Sequence, residues 1–183
     1  MRIIGGKFKG RLIKPPAGLP ARPTTDFAKE ALFNVLSNRI DFEESNVLDL
    51  FSGTGNISFE FASRGAKQIV LIEKNFKSCA FIKSEFEKMN YKNAMIHRTN
   101  VFDFLKTNQI QFDVVFADPP FLDVDYKELH HMLFEKKILK EDGLLIIEHQ
   151  KKIKLSELTY FTETKNYGNI SFSFFKQAFK NDE

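Results

Sequence analysis

Short apolar runs alternate along the chain with stretches whose apolar positions recur at helical spacing. The runs predict strands near 46–51, 67–72, 93–98, 112–117 and 143–148, with helices near 56–63, 75–89, 101–107 and 125–136 between them. Such alternation implies an α/β fold, a parallel sheet with helices on both faces. The tail breaks the rhythm. Thr159-Tyr160-Phe161-Thr162-Glu163 and Ile170-Ser171-Phe172-Ser173-Phe174, either side of Asn166-Tyr167-Gly168-Asn169, read as a closing hairpin with aromatic residues on one face. At the other end, Ile3-Ile4 and Leu12-Ile13 flank the segment from Gly5 to Gly10 and predict a small hairpin with a glycine-rich turn. The proline-rich stretch from Pro15 to Pro23 cannot be helical. Thr24-Thr25-Asp26 then supplies a cap and a first-turn acid for a helix whose expected apolar face is Phe27, Ala31 and Val35 with Leu32 and Leu36.

Val47-Leu48-Asp49-Leu50-Phe51 runs into Ser52-Gly53-Thr54-Gly55 and then a helix, which is a strand, a tight glycine turn and a helix start. Glycines at 53 and 55 permit positive φ and let a ligand approach the main chain. A dinucleotide turn would want glycine where Ser58 stands, and a P-loop would want Gly-Lys-Ser/Thr; neither is present. Asp49 beside the turn would repel a phosphate and suits a cationic amino group. Glu73 ends the next strand, at the place where doubly wound folds keep a ribose-binding acid. Asn100-Val101 follows the third strand, and Asp118 ends the fourth. The candidates thus collect at the carboxyl ends of successive strands, where open α/β sheets bind ligands.

Asp118-Pro119-Pro120-Phe121 looks like the D-P-P-[FY] signature of enzymes that methylate exocyclic amines. The prolines stiffen the loop, donate no N–H and leave a carbonyl free to accept. With the Asp carboxylate, that carbonyl can take both protons of an –NH₂ group and aim its lone pair. Phe121 offers a face on which a planar base can stack, worth roughly 1–3 kcal/mol on other nucleic-acid platforms. Taken alone, the four residues would more often merely end a strand, with Phe121 in the core.

Together these motifs resemble the S-adenosylmethionine-dependent methyltransferases with the Rossmann-like fold, and within them the RsmD family, bacterial enzymes that methylate the N2 amine of a guanine in 16S ribosomal RNA. The likeness runs through Arg2-Ile3-Ile4-Gly5-Gly6 with Gly10-Arg11, Arg22-Pro23-Thr24-Thr25-Asp26 with Glu30-Ala31-Leu32-Phe33-Asn34, Asp49 to Gly55, Leu71-Ile72-Glu73 and Asp118 to Phe121. It implies a class I methyltransferase fold: a mostly parallel seven-stranded sheet with helices on both faces and a C-terminal antiparallel hairpin. Residues 1–23 would be a basic β-hairpin extension and linker, and 24–183 the methyltransferase domain. The implied cofactor is S-adenosylmethionine, released as S-adenosylhomocysteine, without a metal. Its binding set would be Thr24, Thr25, Asp49, Phe51, Gly53, Gly55, Glu73, Asn100, Val101 and Asp118, with a threonine hydroxyl or the helix N-terminal amide meeting the methionine carboxylate. Asp118, Pro119 and Phe121 would act on the amine. Ser58 departs from a common glycine, and Asn100 from a common Asp, though its amide oxygen can still accept from an adenine amine.

At 183 residues, with 43% hydrophobic content and 21 Phe, the chain suits one domain with an ample core. No apolar run has membrane-helix length and the amino terminus lacks a signal-peptide core, so the expectation is a cytoplasmic protein, taken as a monomer. The single Cys79 excludes an internal disulfide, and His97, His130, His131 and His149 lack metal-ligand spacing. The net charge of +3 conceals an asymmetry: residues 1–40 carry eight Lys/Arg against two acids, which leaves −3 for the rest. A basic cluster is often only a solvated face. Upstream of a base-modifying site it suits a phosphate backbone, making Arg2, Lys7, Lys9, Arg11, Lys14 and Arg22 candidate RNA contacts. The partner would be 16S rRNA, naked or in an assembling small subunit. Two alternatives stay open: an adenine-N6 methyltransferase of DNA, lacking here a recognition insert, and a non-catalytic RNA-binding or assembly protein on the same fold.

Overall fold

The computed structural model describes residues 1–19, 24–121 and 124–177. Its central sheet contains β1 (Asn46–Leu50), β2 (Gln68–Ile72), β3 (Ala94–His97), β4 (Phe112–Ala117), β5 (Leu139–Gln150), β6 (Phe161–Tyr167) and β7 (Ile170–Lys176), in the order β3-β2-β1-β4-β5-β7-β6. The first five strands pair in parallel, and β7 lies antiparallel between β5 and β6. The helices are α1 (Asp26–Leu36), α2 (Asn56–Ser63), α3 (Phe76–Lys88), α4 (Val101–Thr107) and α5 (Tyr126–Glu135). This is a Rossmann-like α/β fold.

Strand side chains alternate between two cores. Val47, Ile69, Val114 and Phe116 pack with residues of α1, α2 and α3, while Leu48, Val70, Val115 and Ala117 pack with residues of α4 and α5. A strand buried on both faces carries a continuous apolar run, which is why the runs were legible. From β1 the chain steps outward through β2 and β3, then returns to the other side of β1 as β4. The order therefore reverses between β1 and β4, and a crevice opens at their carboxyl ends.

Three expectations need correction. The buried face of α1 is Ala28, Lys29, Leu32, Phe33 and Leu36, and Phe27 is 69% exposed. The expected face missed Lys29 because a buried lysine is tolerated only with partners, and those come from distant segments. Strand β5 begins at Leu139 rather than 143, its first half hidden by the polar Lys140-Glu141-Asp142 and by a register shift against β4. The amino-terminal hairpin forms but is shorter than expected: around the antiparallel bridge of Arg2 with Leu12, the Ile3 N–H donates to the Arg11 carbonyl at 3.0 Å and the Ile13 N–H to the Met1 carbonyl at 2.9 Å. Donors that a longer ladder would use go elsewhere: the N–H groups of Ile4 and Gly5 each donate to the Glu60 carboxylate of α2 at 2.8 Å. Gly6 lies against the same helix, where an added Cβ would sit 1.9 Å from the Ser63 carbonyl oxygen.

Strands β3 and β6 form the sheet edges. β3 is four residues long, and on β6 Glu163 is paired with both Arg39 and Lys165. Among the described residues no helix is long and apolar enough to cross a membrane.

Candidate active site

The crevice holds a cavity of about 640 Å³, within the size range of small-ligand sites. Its wall begins where β1 ends. Phe51 adopts a left-handed backbone (φ 61°), and the chain turns through Gly55, which caps α2 at φ 78°. An added Cβ at Gly55 would lie 3.1 Å from Phe59 and Ile82 atoms, so glycine serves both the turn and the packing. The Ser52 N–H donates to the Ile72 carbonyl at 3.1 Å and ties the loop to β2.

Asp49 is buried on β1, and Ser58 of α2 donates its hydroxyl to Asp49 Oδ2. Burial pushes the Asp49 carboxyl up to about 7; the nearby Glu73 charge adds to this, and the Ser58 bond opposes it. Glu73 is gripped by the main chain. Its Oε2 accepts from the Gly53 N–H at 2.9 Å and its Oε1 from the Asn75 N–H at 2.7 Å. One carboxylate thus joins the glycine turn to the start of α3. Asn100 caps α4, its Oδ1 accepting from the Phe102 N–H at 2.8 Å. Across the cavity, the Asp118 N–H reaches the Leu50 carbonyl at 3.4 Å, and Pro119, Pro120 and Phe121 carry the loop along the rim. Near Asp118, the Tyr126 hydroxyl is buried without a hydrogen-bond partner among the described residues. Burial, then the charges of Asp118 and Glu148, push it up to about 12.

Of the expected residues, Thr24, Asp49, Phe51, Gly53, Glu73, Asn100, Val101, Asp118, Pro119 and Phe121 line this one cavity. Thr25 and Gly55 are outside its lining: Thr25 caps α1 through the Ala28 N–H, and Gly55 shapes the turn from beneath. The Thr24 hydroxyl donates to Glu148 at 2.9 Å. Asn56, Lys74 and Thr99 also line the wall. Asn56 adjoins the glycine motif and could have been noticed there; Ser58 was visible only as a missing glycine.

The basic segment is less available than its composition implies. Arg2 pairs with Asp26 at 3.2 Å, and Arg11 with Glu85 at 3.7 Å and the Lys88 carbonyl at 3.3 Å. Lys7, Lys9 and Lys14 are exposed, Lys7 lying over the Phe8 ring. Arg22 lies outside the described residues.

Chemically, the cavity combines an apolar wall of Ile72, Val101, Phe102 and Phe116 with the neighbouring carboxylates of Asp49 and Glu73, a third carboxylate at Asp118, and backbone donors. Two acids side by side reject a phosphate and accept hydroxyls or an ammonium. A ligand with an aromatic ring, vicinal hydroxyls and a cationic amine fits such a donor set.

The family described as conserved hypothetical protein 95 matches residues 1–176. YlbH of Bacillus subtilis is 32% identical over 184 residues, covering 97% of this chain and 99% of YlbH. Ribosomal RNA small subunit methyltransferase D of Haemophilus influenzae is 36% identical over 155 residues, covering 82% of this chain and 79% of that protein. Among solved structures, yhhF from Escherichia coli matches with a TM-score of 0.86 at 28% identity, over 97% of this chain and 98% of yhhF.

Proposed function

The chain belongs to the conserved hypothetical protein 95 family, that of ribosomal RNA small subunit methyltransferase D, and on that premise we propose that it transfers a methyl group from S-adenosylmethionine to the N2 amine of a guanine in 16S ribosomal RNA. The observation that carries this reading is a shared cavity: the Asp49 and Glu73 carboxylates and the Asp118-Pro119-Pro120-Phe121 loop line one space. A cofactor site and an amine-binding loop must share a space for direct transfer. The same reading has the enzyme act as a cytoplasmic monomer on 16S RNA, naked or in an assembling small subunit.

Bound S-adenosylmethionine supplies an electrophilic methyl on a sulfonium. Glu73, oriented by two main-chain donors, accepts from ribose hydroxyls. Asp49 takes the amino group, and Asn100 accepts from the adenine amine through the second lone pair of Oδ1. Phe51 and Val101 contribute apolar contact.

On the acceptor side, Asp118 and the Pro119 carbonyl receive the two protons of the guanine amine. That amine is a poor nucleophile because its lone pair is delocalised into the ring. Hydrogen bonds to both protons favour a pyramidal nitrogen and stabilise the positive charge that develops on it. The extra proton leaves after transfer, so Asp118 need not be a strong base. Phe121 stacks on the base once it is splayed out, offsetting part of an unstacking cost of a few kcal/mol.

The test is calorimetric titration with S-adenosylhomocysteine, followed by mass mapping of methylated nucleotides after incubation with naked 16S RNA or with small subunits. One N2-methylguanosine is expected. Absence of cofactor binding would leave only the scaffold, and a methylated adenine would move the substrate.

A further inference from the structure

Asn56, the first residue of α2, is 8% exposed and lines the cavity. Behind it lies Lys29, 1% exposed on α1. The Lys29 ammonium is 2.8 Å from Asn56 Oδ1, 2.6 Å from the Arg2 carbonyl and 3.8 Å from the Glu60 carboxylate. An ammonium has three donors and no acceptor, so only the oxygen of the Asn56 amide can face it. The NH₂ end is thereby turned the other way, where one proton goes to the Thr24 carbonyl at 3.3 Å. The other is left for the cavity that Asn56 lines.

The charge behind this amide is positive. Glu60 is shared between Lys29 and Arg64, the latter at 3.1 Å, so two cations meet one carboxylate. The Thr24 hydroxyl at this end of the cavity is already engaged, its single proton going to Glu148. Two residues along α2, Ser58 holds Asp49. One helical turn therefore sets an acid and an outward amide N–H close together, the pair needed to bind the ammonium and carboxylate of one α-amino acid.

Resting on the methyltransferase reading above, we infer that Asn56, locked in this orientation by Lys29, is the specificity-determining donor for the carboxylate of the cofactor's amino-acid end. Lys29 is a positioning residue: it is shielded from the ligand and acts by fixing which end of the amide the ligand meets.

Two probes separate this role from mere scaffolding: S-adenosylhomocysteine, and S-adenosyl-3-thiopropylamine, which keeps the amine and lacks the carboxylate. Wild-type protein that bound neither would refute the methyltransferase reading itself. Asn56→Asp keeps an acceptor for Lys29 but gives up the bond to the Thr24 carbonyl, so its melting curve is taken first as the check on folding, and it sets a carboxylate against the ligand's own. Its affinity for S-adenosylhomocysteine should fall about 10- to 100-fold, with the amine analogue held or gained. Lys29→Met, if it folds, should show the same selective loss. Equal losses for both probes in folded Asn56→Asp protein, or no loss for S-adenosylhomocysteine, would overturn the assignment.

Discussion

The Ser58 hydroxyl donates to the Asp49 carboxylate, so a side chain standing where a dinucleotide turn would have glycine holds the buried acid of the cavity. Asp49 keeps its proton until about pH 7, against an ordinary value of 3.8. If its ionised form receives the cofactor's ammonium, S-adenosylhomocysteine affinity should rise about tenfold per pH unit below that midpoint and level off above it. Ser58→Ala removes a bond that favours the charged form and should move the midpoint upward. Titrations from pH 5.5 to 9 check this; a profile flat in both proteins would take Asp49 out of amine binding.

The same proton links folding to pH. The folded chain holds it between about pH 4 and 7, where the unfolded chain has released it, so the Asp49 contribution to stability is present at low pH and is lost as pH rises towards 7. Asp49→Asn should remove that component. Urea unfolding at several pH values gives the difference; an unchanged pH slope in the variant would contradict it.

Asp118→Ala should cut turnover by about 10²–10³-fold, the usual effect of losing one group aimed at developing charge. S-adenosylhomocysteine affinity should change far less, because the carboxylate acts mainly on the acceptor amine. Single-turnover methylation beside calorimetry separates the two, and a collapse of cofactor binding with an intact fold would reassign Asp118.

Glu73→Ala should raise the cofactor dissociation constant about 10- to 100-fold and also lower stability by about 1–3 kcal/mol, since the Gly53 and Asn75 N–H groups lose their acceptor. Glu73→Gln keeps one acceptor oxygen and should fall between. An unaltered melting temperature in the Ala variant would mean that the main chain finds other partners.

Replacing Lys7 and Lys9 together with Ala should flatten the salt dependence of RNA binding by roughly 0.7–0.9 for each phosphate no longer neutralised. Arg11→Ala should act differently, lowering stability more than the salt slope, because its guanidinium is already engaged by Glu85 and the Lys88 carbonyl. Affinities across a salt series, with cofactor titration as folding control, decide; equal slopes in all three proteins would move RNA to another surface.

The alternation of strands and helices was legible because the inner parallel strands β1, β2, β4 and β5 are largely buried on both faces and each turn carries its own chemistry. Asp49, Glu73, Asn100 and Asp118 could be located because strand ends in such sheets converge. What stayed hidden depends on pairings far apart in sequence. Nothing near Lys29 announces Glu60, and nothing near Arg2 or Arg11 marks them as partly neutralised by Asp26 and Glu85. Periodicity placed Phe27 on the packed face of α1, yet its ring lies out by Tyr167, 6.1 Å away between centroids. The turn chemistry of Ser58 was also out of reach, because its partner precedes it on another element.

The two edges of the sheet bear on how this chain behaves when crowded. An open strand edge is a template on which another chain can continue the hydrogen-bond ladder. β3 offers only four residues of edge, too short to hold a visitor. A strand laid along β6 would have to strip Glu163 from Arg39 and Lys165, exchanging satisfied charges for backbone bonds. Glu163→Val would remove this guard, leaving the active cavity whole while inviting the sheet to grow from one molecule into the next.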